Sequence, residues 1–87
     1  NHSLRMTDAV SGRVLTLTTD APAFVMYTCN TADGSIELAD GPLVSFAGAA
    51  LEAQGWPDAI HLPGAPAPVL KQGKTFRRKT VWSFDLV

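Results

Sequence analysis

The sequence has little cysteine, little net charge and no long apolar run. Its single cysteine, Cys29, excludes an internal disulfide framework and a cysteine-based zinc site. A formal net charge of −1 lacks the concentrated positive field that phosphate backbones require, so we expect no nucleic-acid partner. No apolar run approaches the roughly 18–20 residues that a membrane helix needs, so we expect no membrane span. Since no signal-peptide pattern opens the chain, a cytoplasmic or organellar setting is favoured.

The chain is short, and its basic residues are concentrated. With 87 residues it forms at most one domain, and it buries only roughly 60–65% of its unfolded surface. Five of the seven basic residues lie within positions 71–79. This cluster is either a solvated face that discourages strand pairing or a contact for an anion or a partner.

Short β-type runs separated by turn residues dominate the pattern. Residues 13–19 alternate apolar and polar side chains, which predicts a half-buried strand. Residues 23–29 are more continuously apolar and predict a strand that is covered on both faces. Residues 35–38 predict a short strand, and residues 79–87 alternate again, with Trp82, Phe84 and Leu86 on one side. These runs predict an all-β chain of the antiparallel β-sandwich class.

Two stretches do not fit a simple strand pattern. Residues 43–54 are compatible with a helix that ends at Gly55, because alanine and leucine favour helices. The same residues alternate at period two, and Gly48 would weaken a helix, so both structures stay open. Residues 57–68 contain four prolines, which exclude a regular helix and predict an irregular crossing.

Glu52 is the most informative polar residue. The preceding residues, 41–51, carry no charged side chain, and a Trp-Pro-Asp turn signal follows at residues 56–58. Such a carboxylate is either solvated at a strand end and paired with a surface cation, or held in a dry site. Desolvation raises the pKa of a carboxyl group and suits it to proton abstraction near neutral pH. The residues alone leave both alternatives open.

Four motifs in the same order resemble the aldose 1-epimerase (galactose mutarotase) family. The segment from Leu51 to Ala59, Leu-Glu-Ala-Gln-Gly-Trp-Pro-Asp-Ala, resembles the family's Leu-Glu-Thr-Gln-(Asn/His)-(Trp/Phe)-Pro-Asp-Ala. The other three are Ser-Gly-Arg-Val-Leu at 11–15, Tyr-Thr-Cys-Asn at 27–30, and Pro-Val-Leu at 68–70 with the final run at 80–84. Order and spacing agree from about residue 4 to residue 84. Each motif is weak alone, but the four together are specific.

The resemblance implies both a fold and its incompleteness. Members of the family form a large antiparallel β-sandwich, the galactose mutarotase-like supersandwich, and are several times longer than this chain. Residues 1–87 would be the C-terminal segment of one such domain, incomplete by itself. The remaining strands of a parent protein or a partner chain would then complete the sandwich, and the chain alone would not be active.

The resemblance also implies a reaction and its base. The family interconverts the α and β anomers of a hexose such as galactose or glucose by acid–base ring opening, and its catalytic glutamate corresponds to Glu52. Proton transfers need neither cofactor nor metal. The family's acid comes from earlier in the chain, so neither His2 nor His61 inherits that role.

The chain also departs from the family pattern close to the glutamate. Ala53 and Gly55 replace larger polar residues, and Val25 lies where some relatives place a polar residue that faces the sugar. No residue of this chain is therefore assigned to sugar binding. The alternative function is a non-catalytic, mutarotase-like carbohydrate-binding or assembly subunit.

Overall fold

A computed structural model describes all 87 residues and contains almost only β-structure. The strands are β1 (His2–Thr7), β2 (Arg13–Thr19), β3 (Ala23–Tyr27), β4 (Asp33–Leu38), β5 (Gly41–Val44), β6 (Ala50–Gln54) and β7 (Thr80–Leu86). The one helical element is a 3₁₀ turn at Ala59–His61. Every strand pair is antiparallel, which confirms the all-β, antiparallel prediction. No helix in the structure has the length and apolar character that crossing a membrane requires.

A three-stranded sheet in the order β1-β2-β7 is the best-packed part of the molecule. Its register places Leu17 opposite Leu4 on one side and Trp82 on the other, so one face of the sheet is apolar. Leu17 is fully buried, whereas Phe84 on the same face is 77% exposed. The alternation predicted for β2 and β7 is confirmed, but much of the apolar face of β7 lies open.

The core is small and is centred on β2. The only buried residues of the chain are Val14, Leu17, Thr19, Ala21 and Ala59. Extensive contacts between elements are confined to hydrogen-bonded neighbouring strands. The radius of gyration is 16.7 Å, against about 12 Å for a compact chain of this length. The three sheets therefore do not share one core.

Thr19 connects the end of β2 to the start of β7. Its hydroxyl lies 2.9 Å from the Thr80 hydroxyl and donates to the backbone carbonyl of Lys79 at 3.2 Å. The same oxygen accepts the backbone N–H of Ala21 at 3.1 Å. Because Thr19 is 1% exposed, these bonds satisfy a polar group that would otherwise be costly to bury.

The two-stranded ribbon β3-β6 and the hairpin β4-β5 follow the sheet in the chain. Residues 43–54, which the sequence left open between helix and strand, contribute the end of β5 and all of β6, with a turn between them. Phe46 has a φ of 61° in this turn, a left-handed conformation that a helix excludes. A backbone hydrogen bond from Phe46 to the carbonyl of Cys29, 3.2 Å, holds the turn against the loop after β3.

The predicted cover on both faces of the second strand is wrong for this chain. β3 pairs only with β6, and Met26 and Tyr27 are 56% and 43% exposed. The strand also ends at Tyr27, because Cys29 has a φ of 59° and cannot continue it. The irregular crossing predicted for residues 57–68 is confirmed, apart from its single 3₁₀ turn.

Candidate functional site

Glu52 lies at the centre of β6, where it is directly opposite Val25 of β3. Opposed residues of an antiparallel pair have Cβ atoms about 4.5–5.5 Å apart, so Val25 is the nearest cross-strand neighbour of the carboxylate. Tyr27 opposes Ala50 in the next register position on the same face. The ribbon thus holds Glu52 on a regular backbone rather than in a loop.

The two faces of the ribbon differ in chemistry. Side chains alternate along each strand, so the register sorts them into two sets. The face that carries Glu52 also carries Ala23, Val25, Tyr27, Ala50 and Gln54. The opposite face carries only apolar side chains, those of Phe24, Met26, Leu51 and Ala53. The ribbon therefore presents one face suited to a polar ligand and one suited to a hydrophobic core.

The Glu52 carboxylate has no partner within the chain. The ion pairs of the structure are Arg78 with Asp20 and His61 with Asp58, and no side-chain hydrogen bond involves Glu52. The strand-end alternative, in which a surface cation neutralises the glutamate, is therefore absent here. The Glu52 side chain is exposed to solvent. These 87 residues therefore do not supply the apolar, water-excluding surroundings that the other alternative requires. The carboxylate is therefore exposed and unpaired within this chain.

Tyr27 and Gln54 are the polar neighbours of Glu52 that the sequence did not single out. The Tyr27 hydroxyl lies 2.6 Å from the hydroxyl of Thr31, and the Gln54 side-chain amide donates to the carbonyl of Gly55 at 3.2 Å. Both groups can exchange hydrogen bonds with a polyhydroxylated ligand. Gln54 follows Glu52 by two positions on the same strand, whereas Tyr27 is placed beside it only by the β3-β6 register, which joins positions far apart in the sequence.

Small residues leave open space beside the carboxylate. The segment from Gly48 to Ala50 leads into β6, and a Cβ placed on Gly48 would meet no heavy atom within 4 Å. Ala50 lies on the Glu52 face, whereas Ala53 lies on the opposite one. Ala50 is therefore the small residue next to Glu52 on its own face, and Gly48 leaves open space in the segment before β6.

The turn after β6 places Asp58 and His61 together on the surface. Asp58 adopts the left-handed region at φ 58° and lies at the start of the 3₁₀ turn, within the predicted Trp-Pro-Asp turn, but the side-chain cap expected of it is absent. Its side chain contacts the ring Nδ1 of His61 at 2.6 Å rather than capping the backbone. The His61 side chain is 75% exposed, in agreement with a surface position. No three His, Cys, Asp or Glu side chains come close enough to hold a metal ion.

Local hydrogen bonds lower the pKa values of two carboxyl groups elsewhere in the chain. The Ser11 hydroxyl donates to Asp8 at 2.6 Å and, with the backbone N–H of Val10, lowers the pKa of that carboxyl. Hydrogen bonds from the side chain and backbone of Ser35 lower the pKa of Asp33. Both residues belong to turns or strand ends away from the Glu52 face, so they serve local structure.

The fold and this face define an antiparallel all-β chain that carries an unpartnered carboxylate on a strand ribbon. The sequence matches the family model described as aldose 1-epimerase over residues 1–83, and the chain belongs to that family. It is similar to galactose mutarotase of Homo sapiens, at 35% identity over 83 residues, and of Bos taurus, at 36%. The Mus musculus galactose mutarotase is 32% identical over the same length. The resemblance inferred from the motifs is confirmed.

These matches cover 94% of this chain but only 24% of each relative. The chain thus spans about a quarter of the length of the curated relatives that it matches. No solved structure gave a significant match.

Proposed function

We propose that this chain is the C-terminal segment of an aldose 1-epimerase and that Glu52 is its general base. The longer polypeptide, here called the parent protein, would interconvert the α and β anomers of a hexose such as galactose or glucose. One observation carries this proposal: in a member of the family, an unpartnered glutamate lies at the centre of a ribbon face that is open to a ligand.

The reaction requires a proton acceptor at the anomeric hydroxyl and a proton donor at the ring oxygen. The Glu52 carboxylate accepts the anomeric proton while an acid protonates the ring oxygen, and the C1–O5 bond breaks to give the open aldehyde. Rotation about C1–C2 and closure on the other carbonyl face give the second anomer. His61 pairs with Asp58 on the surface, and His2 is the first residue of β1 in the three-stranded sheet rather than in the ribbon. Because neither histidine lies on the Glu52 face, we assign the acid to the parent protein.

The apolar face of the ribbon also indicates that the rest of the parent protein completes the site. Phe24, Met26 and Leu51 need cover that these 87 residues do not supply. We assign that cover to strands of the parent protein, which would also wall the Glu52 face. An apolar wall disfavours a charged carboxylate and thereby strengthens it as a proton acceptor. Val25 already supplies one apolar side chain directly opposite Glu52.

The second candidate is a non-catalytic carbohydrate-binding or assembly subunit. Val25 and the small residue Ala50 reduce the number of hydrogen-bond donors on the Glu52 face. A face of this kind holds a sugar less firmly than one with a polar side chain opposite the glutamate. This observation favours a module that kept the family fold without its activity, and the experiment below separates the two candidates.

The test is polarimetry of freshly dissolved α-D-galactose and α-D-glucose with the parent protein. Glu52→Gln preserves size and hydrogen bonding but removes the base, so we expect the catalysed rate to fall by about 10²–10⁴-fold. Glu37→Gln is the matched control, because Glu37 is an exposed glutamate on β4 without an ion pair. A Glu52→Gln variant as fast as the parent would remove the base assignment. A parent no faster than buffer would favour the binding module.

A further inference from the structure

A cleft of about 700 Å³ lies outside the Glu52 face, and the proposed function does not use it. We propose that this basic cleft binds a phosphate dianion, either inorganic phosphate or a phosphate monoester. It is formed by parts of the proline-rich crossing and the segment before β7, which face Pro22 and Gly55. The residues that carry the argument are Val69, Leu70, Lys71, Lys74, Phe76 and Arg78.

Two lysines give the basic cleft its charge. Lys71 and Lys74 flank a tight turn, in which the Lys74 N–H donates to the Lys71 carbonyl at 3.1 Å and Gly73 has a φ of 79°. The Cα atoms at the ends of such a turn lie within about 7 Å of each other. No carboxylate lies within 4 Å of either ammonium group, since the ion pairs of the chain involve only Arg78 and His61. Two lysines without an ion-pair partner therefore lie on the same turn at the edge of the cleft.

Arg78 also lines the cleft and contacts two other side chains. Its Nε lies 3.4 Å from the Asp20 carboxylate, and its guanidinium carbon lies 5.0 Å from the centre of the Phe76 ring. Asp20 also accepts the backbone N–H of Lys79 at 3.0 Å, which ties the segment before β7 to the end of β2. Asp20 neutralises Arg78, so the basic cleft keeps a net charge close to that of its two lysines.

The charge and the walls together select the ligand class. A phosphate group carries about −1.5 to −2 charge at pH 7, which matches two free ammonium groups better than a single carboxylate does. Lysine binds phosphate as a point charge and needs no fork geometry. The apolar side chains of Val69, Leu70 and Phe76 provide a wall for the organic part of a monoester.

The basic cleft does not depend on the Glu52 assignment. Glu52 is not among its lining residues, although Gly55 is. Three residues span at most about 11 Å, so the two sites are neighbours without sharing a charged side chain. A failure of mutarotation therefore says nothing about phosphate binding, and the reverse also holds.

The experiment is calorimetric titration of the parent protein with inorganic phosphate and with glycerol 1-phosphate, with glycerol as the neutral reference. We expect both anions to bind and glycerol not to bind. Lys71→Gln/Lys74→Gln should weaken phosphate binding by at least tenfold. Arg77→Gln/Lys79→Gln is the matched control, because it removes the same charge from residues that do not line the basic cleft. We expect this control and Glu52→Gln to bind phosphate within twofold of the parent.

The unmodified parent decides the proposal even if a variant misfolds. Saturable phosphate binding that weakens as sodium chloride is added supports the site, since salt screens the two lysines. Tighter binding of glycerol 1-phosphate than of phosphate assigns the ligand to the monoesters, and equal binding assigns it to free phosphate. No phosphate binding by the parent, or equal losses in the two double variants, would overturn the proposal.

Discussion

The three-stranded sheet and the β3-β6 ribbon are both antiparallel, but only the sheet contains buried apolar residues. In the sheet, Leu17 is fully buried and Val14 is 4% exposed. In the ribbon no residue is buried, and Met26 on its apolar face is 56% exposed. The sheet has a third strand, so that β2 is paired on both sides, whereas the ribbon has only its own two strands.

This difference separates what the chain stabilises by itself from what it presents to other structure. An isolated pair of strands is marginally stable at best, so a two-stranded ribbon with an open apolar face needs further cover. The carboxylate proposed as the base lies on that ribbon and not on the sheet. We infer that the sheet anchors the segment, while the proposed active site becomes complete only in the parent protein.

Truncation of Leu17 tests the anchoring role and should have the largest effect. Leu17 is enclosed by residues of this chain, so Leu17→Ala leaves a cavity in the parent protein and should lower its free energy of unfolding by about 2–5 kcal/mol. Chemical denaturation of the parent and the variant measures the difference. A loss below about 1 kcal/mol would contradict the view that β2 forms a core.

Leu51→Ala is the companion variant in the ribbon. Leu51 is only half-buried in this chain, on the face opposite Glu52. If strands of the parent protein cover that face, the loss should approach the range for Leu17. A loss of unfolding free energy near zero would show that the apolar face of the ribbon stays uncovered in the parent protein, and would contradict the assigned cover.

Substitution of Gly12 in the turn between β1 and β2 should have a smaller effect on the free energy of unfolding. Gly12 has a φ of 74°, and a Cβ at this position would lie 3.1 Å from the carbonyl oxygen of Val87. Gly12→Ala should therefore cost about 1–2 kcal/mol, the penalty for a left-handed residue. Gly12→Asn carries a Cβ but tolerates this conformation better, so it should cost less. Denaturation midpoints that do not differ between the glycine and alanine forms would contradict the assigned strain.

The smallest expected effect is a pH-dependent one in the same turn. Hydrogen bonds from Ser11 and Val10 lower the pKa of Asp8 from its ordinary value of 3.8, so the charged form stabilises the fold. This contribution is complete above that value and is lost as the pH falls through the lower folded-state value. The melting temperatures of the parent protein and Asp8→Asn should differ slightly at neutral pH and converge in acid. Asp40→Asn is the control, since no hydrogen bond involves the Asp40 side chain. A difference that persists in acid would point to a cause other than charge.

The sequence predicted the fold where the pattern is local. Alternation predicted β2 and β7, and the prolines predicted the crossing. Residues 43–54 stayed open because alanine-rich segments satisfy both periods, and the turn at Phe46 decided between them. The continuous apolar run of β3 was interpreted as cover on both faces. The 87 residues leave Met26 and Tyr27 of this strand exposed, so the run overstated the cover that they supply.

The candidate site was predictable only in part. Glu52 was identifiable because a lone carboxylate follows an uncharged run within a family motif. Its cross-strand neighbours Val25 and Tyr27 depend on a strand pairing between distant segments, which composition does not reveal. The basic cluster had two open interpretations. The fold places Lys71, Lys74 and Arg78 at the cleft and leaves Arg77 and Lys79 outside it.

The most direct test is the initial rate of change in optical rotation of α-D-galactose with three samples at equal concentration. These are the parent protein, its Glu52→Gln variant and the isolated 87-residue chain. We predict that only the parent accelerates equilibration, because the reaction needs both the Glu52 carboxylate and the cover that the chain lacks. A Glu52→Gln variant or an isolated chain that matches the parent would contradict the account.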